Sequence, residues 1–166
     1  MRINFQYTPR NLQLAHELHY RKLFPLKGRI LMFLGAFLIW AGLLLFLILG
    51  KEGNKIISIS LVVYGIFVIG LHWYLNKTMG RRAYRKLKNF YDPLSIDIND
   101  TEILISIQDQ IRTMLWSDIN KAVISNNMVL LYVTDLIFYI FPGENFEAGS
   151  FEQFAILVRK KVQKIF

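Results

Sequence analysis

The sequence predicts an α+β membrane protein. A two-span transmembrane helical hairpin is followed by a C-terminal antiparallel β domain that a final helix closes. Three observations predict it: two long uncharged apolar runs, basic clusters on their outer flanks, and a change to alternating apolar and polar residues after residue 92. Of the 166 residues, 54% are hydrophobic, a larger share than a soluble domain usually has, and contact with lipid explains it.

The two apolar runs cover residues 30–49 and 56–75, and each contains 20 residues without Asp, Glu, Lys or Arg. A helix of that length rises about 30 Å, which matches the hydrocarbon core of a bilayer. The first run is too long for the apolar core of a cleaved signal peptide. Residues 50–55 leave room only for a turn. The sequence therefore predicts an antiparallel transmembrane hairpin over residues 30–75.

The charges on either side of the hairpin predict its orientation. Residues 1–29 carry six basic side chains and one acidic one, and residues 76–91 carry six basic side chains and no acidic one. The turn carries two Lys and one Glu. Positive flanks stay in the cytoplasm, so we expect a multi-pass protein with the N-terminus and the C-terminus both cytoplasmic and residues 50–55 outside.

Glycines within the runs predict how the two helices pack. If the turn is symmetrical, residues whose numbers sum to about 105 lie at similar depth. Gly35 then faces Gly70, and Trp40 covers Gly65 with Tyr64 as a partner for its indole N–H. Small residues allow helices to approach closely in lipid. The alternative is that Trp40 faces lipid or a second copy of the chain.

An amphipathic helix is predicted in the N-terminal segment, residues 1–29. Thr8 is a suitable N-cap and Pro9 a suitable first helical residue. From there, one face carries Leu12, Ala15, His19 and Leu23, and beside it lie Leu14, Leu18 and Arg21. We expect this helix to lie near the membrane surface.

A basic juxtamembrane helix is predicted over residues 76–91. Basic side chains beside a membrane contact anionic headgroups, each contributing about 1 kcal/mol. Membrane lipids are therefore expected partners of six residues: Lys77, Arg81, Arg82, Arg85, Lys86 and Lys88. A stop-transfer signal needs no more than such a cluster. Because the basic charge brackets the apolar runs, we expect no nucleic-acid partner.

The C-terminal domain is predicted over residues 92–166. Six segments alternate with period two and read as strands: 94–98, 102–107, 110–116, 121–125, 128–133 and 136–141. Short polar turns separate most of them, which indicates an antiparallel meander. An apolar stripe that begins near Ser150 predicts a final packing helix.

Several of these segments together resemble the YcxB-like family of bacterial membrane proteins. The resemblance includes the Tyr7-Thr8 step, the two spans with their basic helix, the step from Trp116 to Ile119, and the Leu-Leu-Tyr-Val strand that ends at Val133. Ile140-Phe141-Pro142 departs from the Ile-Pro ending that is usual in the family. The resemblance implies a bacterial inner-membrane protein whose C-terminal domain is similar to pleckstrin-homology domains. It implies little about function.

Residues that could carry chemistry are few. The chain has no Cys, so thiol catalysis is excluded. His16 and His19 lie three residues apart, but the zinc-protease signature needs a longer spacing and a third ligand. His72 near the end of the second span is a candidate proton relay, although a histidine beside an interface reaches water without one. We expect no enzyme activity, no metal site and no cofactor.

Three functions remain open. The leading hypothesis is a non-enzymatic membrane protein whose cytoplasmic domain binds a protein or lipid partner. The second is an immunity or self-resistance protein against a toxin or bacteriocin, which a deletion strain with unchanged toxin sensitivity would contradict. The third is a structural subunit of a membrane complex or a homo-oligomer, in which glycines associate helices of different chains: Gly35, Gly42, Gly65 and Gly70.

Overall fold

The computed structural model describes residues 1–48, 55–86, 92–108 and 110–166. It divides the chain into two compact units. The first, here called the mixed unit, combines Met1–Leu23 with Met79–Phe166, and the second, here called the hairpin unit, comprises Phe24–Thr78. The hairpin is thus inserted into the sequence of the mixed unit, whereas the predicted division began the folded domain at residue 92.

The hairpin unit consists of two long helices, as predicted. The helix α2 covers Pro25–Ile48 and α3 covers Lys55–Lys86, which continues into the mixed unit. Pro25 begins α2 rather than preceding it, because a proline at the first helical position lacks only an N–H that has no helical partner there. The second apolar run and the predicted juxtamembrane helix form one continuous helix as far as Lys86. Most of the predicted turn, residues 50–54, lies outside the described residues.

The mixed unit begins with β1 (Arg2–Phe5) and α1 (Pro9–Leu23). Two antiparallel sheets follow. The first has the order β1-β2-β3-β4, with β2 at Leu94–Ile98, β3 at Glu102–Ile107 and β4 at Gln110–Leu115. The second has the order β5-β6-β7, with β5 at Lys121–Ser125, β6 at Met128–Tyr132 and β7 at Phe138–Pro142.

The predicted strands are confirmed, with small changes at their ends. A short 3-10 turn at Trp116–Asp118 separates the two sheets, and α4 (Ser150–Lys161) follows the last strand. The strand β1, which the alternation did not predict, pairs with β2 from Arg2↔Asp97 to Phe5↔Leu94. A segment before the hairpin therefore completes a sheet formed after it.

The core of the mixed unit lies between the sheets and the helices α1 and α4. All five residues of β6 are buried, and Phe154 of α4 packs against Phe141 of β7 with a ring-centroid distance of 5.1 Å. Tyr7 is buried too, and its hydroxyl donates a hydrogen bond to the Ile140 carbonyl oxygen at 2.9 Å. This bond ties the link between β1 and α1 to the second sheet.

Candidate functional surfaces

The two helices of the hairpin unit meet along a stripe of small residues spaced by seven. Gly35 faces Gly65, Gly42 faces Ser58, and the side chain of His72 lies opposite Gly28. A Cβ added to Gly65 would lie 2.6 Å from the Gly35 carbonyl oxygen, and one added to Gly42 would lie 2.8 Å from that of Ser58. The backbones approach closely because no side chain separates them.

The predicted hairpin register is wrong, although two of its residues belong to the contact. The facing pairs have numbers that sum to 100, so the helices are shifted relative to a symmetrical turn. Gly70 has open space around its Cβ position among the described residues. Trp40 and Tyr64 are about equally exposed, at 60% and 59%, and neither covers Gly65. The small residues therefore determine the register, and the midpoint of the turn does not.

Ser58 is the polar member of this stripe. It is 1% exposed, and its Oγ has no hydrogen-bond partner among the residues that the structure describes. Together with Gly42 it lines an apolar groove of about 250 Å³ whose other lining residues are Leu43, Phe46, Ile59, Val62 and Val63. The close contact at Gly42 is with the Ser58 backbone carbonyl oxygen.

The predicted lipid-contact residues lie on exposed parts of α3. Lys77, Arg81, Arg82, Arg85 and Lys86 are all exposed, and Lys88 lies outside the described residues. The Lys77 ammonium lies 4.5 Å from the centroid of the Trp73 ring, so one cation covers an aromatic face. Headgroup contact by these side chains stays a prediction.

Gly80, in the same segment of α3, contacts α1. Its N–H donates to Gln13 Oε1 at 2.8 Å, and a Cβ at Gly80 would overlap the Gln13 backbone. Only glycine permits this approach. One side of the segment is therefore occupied by α1, while the basic side chains point elsewhere.

The predicted apolar face of α1 is real, but its partner is the second sheet. Leu12, Ala15, Leu18 and His19 are buried, and α1 contacts β5, β6 and β7. This face is therefore covered by protein, and the position of α1 near the membrane surface stays a prediction. The periodicity identified a buried face, but periodicity does not distinguish a lipid surface from a sheet.

Polar groups fix the start of α1. The Asn11 backbone N–H donates to Thr8 Oγ1 at 3.1 Å, which confirms Thr8 as the N-cap. The Asn11 amide then donates to Glu144 Oε1 at 2.7 Å, beyond the end of β7. These bonds hold the first turn of α1 against the segment that follows the second sheet.

Aromatic rings fix the other end of α1. His19 Nδ1 and the Tyr132 hydroxyl are 2.7 Å apart, and the His19 ring stacks on Phe138 at 5.3 Å. Burial raises the pKa of the Tyr132 hydroxyl. Burial also lowers the pKa of His16, with a smaller contribution from the charge of His19.

The two histidines of α1 are thus part of a packed cluster. The Tyr132 hydroxyl contacts His19, and His16 Nε2 is buried without a hydrogen-bond partner in the described part of the chain. In the parts of the chain that the structure describes, no three His, Cys, Asp or Glu residues come close enough to hold a metal ion. The His72 ring nitrogen Nε2 lies 3.0 Å from the Asn76 amide on the next helical turn.

Comparison with known proteins identifies the C-terminal part of the chain. Residues 98–155 match the family model described as YcxB-like protein. This segment includes the Trp116–Ile119 step and the strand ending at Val133, so the resemblance inferred from the sequence is confirmed over it. Neither the curated proteins nor the solved structures contain a significant match.

Proposed function

We propose that this chain with a YcxB-like segment is a bacterial inner-membrane protein that crosses the bilayer twice, with both termini cytoplasmic. Its mixed unit would then be a non-enzymatic module that binds a protein or lipid partner at the membrane face. The observation that carries the proposal is the exposure of large apolar side chains along both helices, among them Phe33 at 72%, Leu47 at 74% and Ile56 at 72%. A helix in the core of a soluble protein would bury such side chains, whereas lipid surrounds them without cost.

Helix length supports the same reading. The 24 residues of α2 correspond to about 36 Å and the 32 residues of α3 to about 48 Å. Each exceeds the roughly 30 Å of a hydrocarbon core. The excess length of α3 carries the basic residues from Lys77 to Lys86 beyond the apolar part, as expected where a helix leaves a membrane on its cytoplasmic side.

The mixed unit supports a comparison with pleckstrin-homology domains. It has a four-stranded and a three-stranded antiparallel sheet, followed by one helix that packs on the core. In this comparison the N-terminal strand β1 belongs to the domain, and the hairpin is an insertion after α1. Folds of this kind serve chiefly as binding modules, and fold-level analogy gives the class of function but no specific ligand.

The edge strand β4 is the surface that best fits a protein partner. It is the last strand of its sheet, and its side chains at Ile111 and Leu115 are 72% and 45% exposed. An extended peptide can add to such an edge through backbone hydrogen bonds, with exposed apolar side chains giving further contact.

Cysteine labelling tests the topology, because the chain has no native Cys. In intact cells, an impermeant maleimide should modify Asn54→Cys and should leave Asn126→Cys unmodified until the membrane is opened. Asn126 is exposed in the turn between β5 and β6, so access alone does not protect it. Labelling of Asn126→Cys in intact cells would overturn the proposed orientation.

Photocrosslinking tests the binding role. A photoreactive amino acid at Ile111 should trap a defined partner in membranes, and the same group at Asn126 should not. A discrete adduct specific to Ile111 is the expected result. If both positions give the same adducts or none, β4 is not the binding edge.

A second candidate function is a subunit of a larger membrane assembly, which the outward side of the hairpin favours. Gly70 has open space at its Cβ position within the described part of the chain, and Trp40 and Tyr64 are exposed. A helix of another chain could approach at Gly70. Disulfide crosslinking between chains tests it: Gly70→Cys should crosslink, and Gly35→Cys, which faces the other helix of its own chain, should not. If Gly70→Cys is as unreactive as Gly35→Cys in membranes, this candidate function is contradicted.

A further inference from the structure

The turn between β6 and β7 presents two apolar side chains that the core does not use. This turn, Thr134–Ile137, is called the tip here. Leu136 is 83% exposed and Ile137 59% exposed, whereas β6, which leads into the tip, is buried throughout. Neither packing within the mixed unit nor the binding edge proposed on β4 explains why Leu136 and Ile137 are apolar and exposed.

The tip is an ordered structure whose backbone groups are largely paired. Thr134 Oγ1 accepts hydrogen bonds from the N–H groups of Leu136 at 3.4 Å and Ile137 at 3.0 Å. The Ile137 carbonyl oxygen accepts from the N–H groups of Val133 at 3.1 Å and Thr134 at 3.3 Å. A turn with its polar groups satisfied internally can enter a region that contains little water.

Two contacts show toward which end of α1 the tip lies. Beyond the end of β7 that is distant from the tip, Glu144 accepts a hydrogen bond from Asn11 in the first turn of α1. At the end of β7 next to the tip, Phe138 stacks on His19, which lies about 12 Å further along α1 than Asn11. The tip therefore lies toward the C-terminal end of α1, which in the sequence is one residue away from the start of α2 at Pro25.

The charges around the tip are mostly positive. The Lys121 ammonium hydrogen-bonds to the Asp135 carboxylate at 2.6 Å and lowers its pKa, and Lys164 acts in the same direction. Arg21 and Lys22 are exposed in the last turn of α1. Four basic residues thus accompany the single acid of the tip, a charge pattern suited to anionic headgroups.

We propose that the tip docks into the cytoplasmic leaflet, with Leu136 and Ile137 at the boundary between headgroups and acyl chains and the surrounding basic residues at anionic headgroups. The inference rests on the proposed membrane insertion of α2 and α3. It adds a second membrane contact, which holds the mixed unit in one orientation at the bilayer. The edge of β4 would then be presented to its partner in a defined direction.

The test uses the full-length protein in vesicles of phosphatidylcholine and phosphatidylglycerol, with one environment-sensitive fluorophore on a single Cys. The positions are Leu136 in the tip, Ile111 on β4 as a control that is also largely exposed, at 72%, and Trp40 in α2 as a measure of insertion. Lipids carrying a nitroxide near the headgroup, or deep in the acyl chain, report the depth of each label.

We expect the label at Leu136 to shift its emission to the blue and to lose most of its intensity to the shallow quencher. The label at Ile111 should do neither, and the label at Trp40 should respond to the deep quencher. In vesicles of phosphatidylcholine alone, quenching at Leu136 should weaken because the basic residues lose their anionic partners.

The other outcomes separate the two proposals. If Trp40 is quenched and Leu136 is not, or if Leu136 and Ile111 are quenched alike, the docking of the tip is wrong while the spanning hairpin stands. A blue shift at Leu136 without quenching by lipid indicates burial against protein and also overturns the docking. If Trp40 itself is unquenched, the spanning hairpin is wrong, and the docking of the tip is wrong with it.

Discussion

The hairpin unit and the mixed unit use apolar residues in opposite ways. Among the described residues of the hairpin, the buried ones are small, Gly35, Gly42, Ser58 and Gly65, while the large apolar side chains are exposed or half-buried. In the mixed unit, large side chains such as Phe141 and Phe154 are fully buried. The proposed membrane insertion accounts for the difference, because lipid offers apolar side chains no reason to leave it, whereas water does.

This comparison predicts that loss of a large side chain matters most in the mixed unit. Phe154→Ala removes a ring that contacts Phe141 and Phe146, and should lower the free energy of unfolding of that unit by about 3–5 kcal/mol. Urea titration of the detergent-solubilised protein with limited proteolysis measures it. The control Ile156→Ala changes a 62% exposed residue of the same helix and should cost less than about 0.5 kcal/mol; similar losses would contradict the proposed core.

In the hairpin, gain of a side chain should be the harmful change. Gly65→Ala places a methyl group 2.6 Å from the Gly35 carbonyl oxygen and 2.7 Å from Ile39 Cγ1. The helices must separate, which should cost about 1–3 kcal/mol. Titration with SDS, followed by circular dichroism, measures the loss.

Gly70→Ala is the matched control for the hairpin, because its methyl group meets open space among the described residues. It should be neutral or slightly stabilising, since alanine favours the helix. Equal destabilisation by the two variants would support the symmetrical register instead of the one in the structure.

A smaller effect is expected where α1 joins the second sheet. Tyr132→Phe keeps the ring and removes the hydroxyl that lies 2.7 Å from His19 Nδ1. The lost hydrogen bond should cost about 0.5–1.5 kcal/mol. The same urea titration measures it, with Tyr139→Phe on β7 as the control; if both variants lose equally, the contact with His19 does not anchor α1.

The smallest effect concerns pH. Burial lowers the pKa of His16 below its ordinary 6.5, so the unfolded chain binds a proton more readily than the folded one. Its contribution to stability is present above pH 6.5 and is lost as the pH falls from there toward the folded pKa. The midpoint of urea unfolding should therefore fall over that range, and less so in His16→Gln. Parallel pH profiles of the two proteins would exclude this role for His16.

Features that depend on local sequence were predictable. Charge-free runs identified the two helices of the hairpin, alternation identified the strands β2 to β7, and Thr8 and Pro9 identified the start of α1. Each of these features depends only on the side chains within one segment and on whether one face of that segment is apolar. The basic residues at the end of α3 were also visible, because charge needs no partner to be counted.

The hairpin register shows how a signal in the sequence was missed. Gly28, Gly35 and Gly42 are spaced by seven residues, as are Ser58, Gly65 and His72. That spacing places each set on one helix face. The symmetrical turn gave a different pairing, because it assumed that both helices end at equal distances from the bend.

The sequence by itself therefore determined the classes of element and the faces that need burial, since hydrophobic period, charge and capping act over a few residues. Only the tertiary structure decided which partners they take. It paired β1 with β2 across an insertion, packed the apolar face of α1 on the second sheet, and left Leu136 and Ile137 exposed at the tip. These results depend on contacts between residues about a hundred positions apart, such as Arg2 with Asp97 and His19 with Tyr132. The sequence of an amphipathic segment shows that one face must be buried, but it does not show which other segment covers that face.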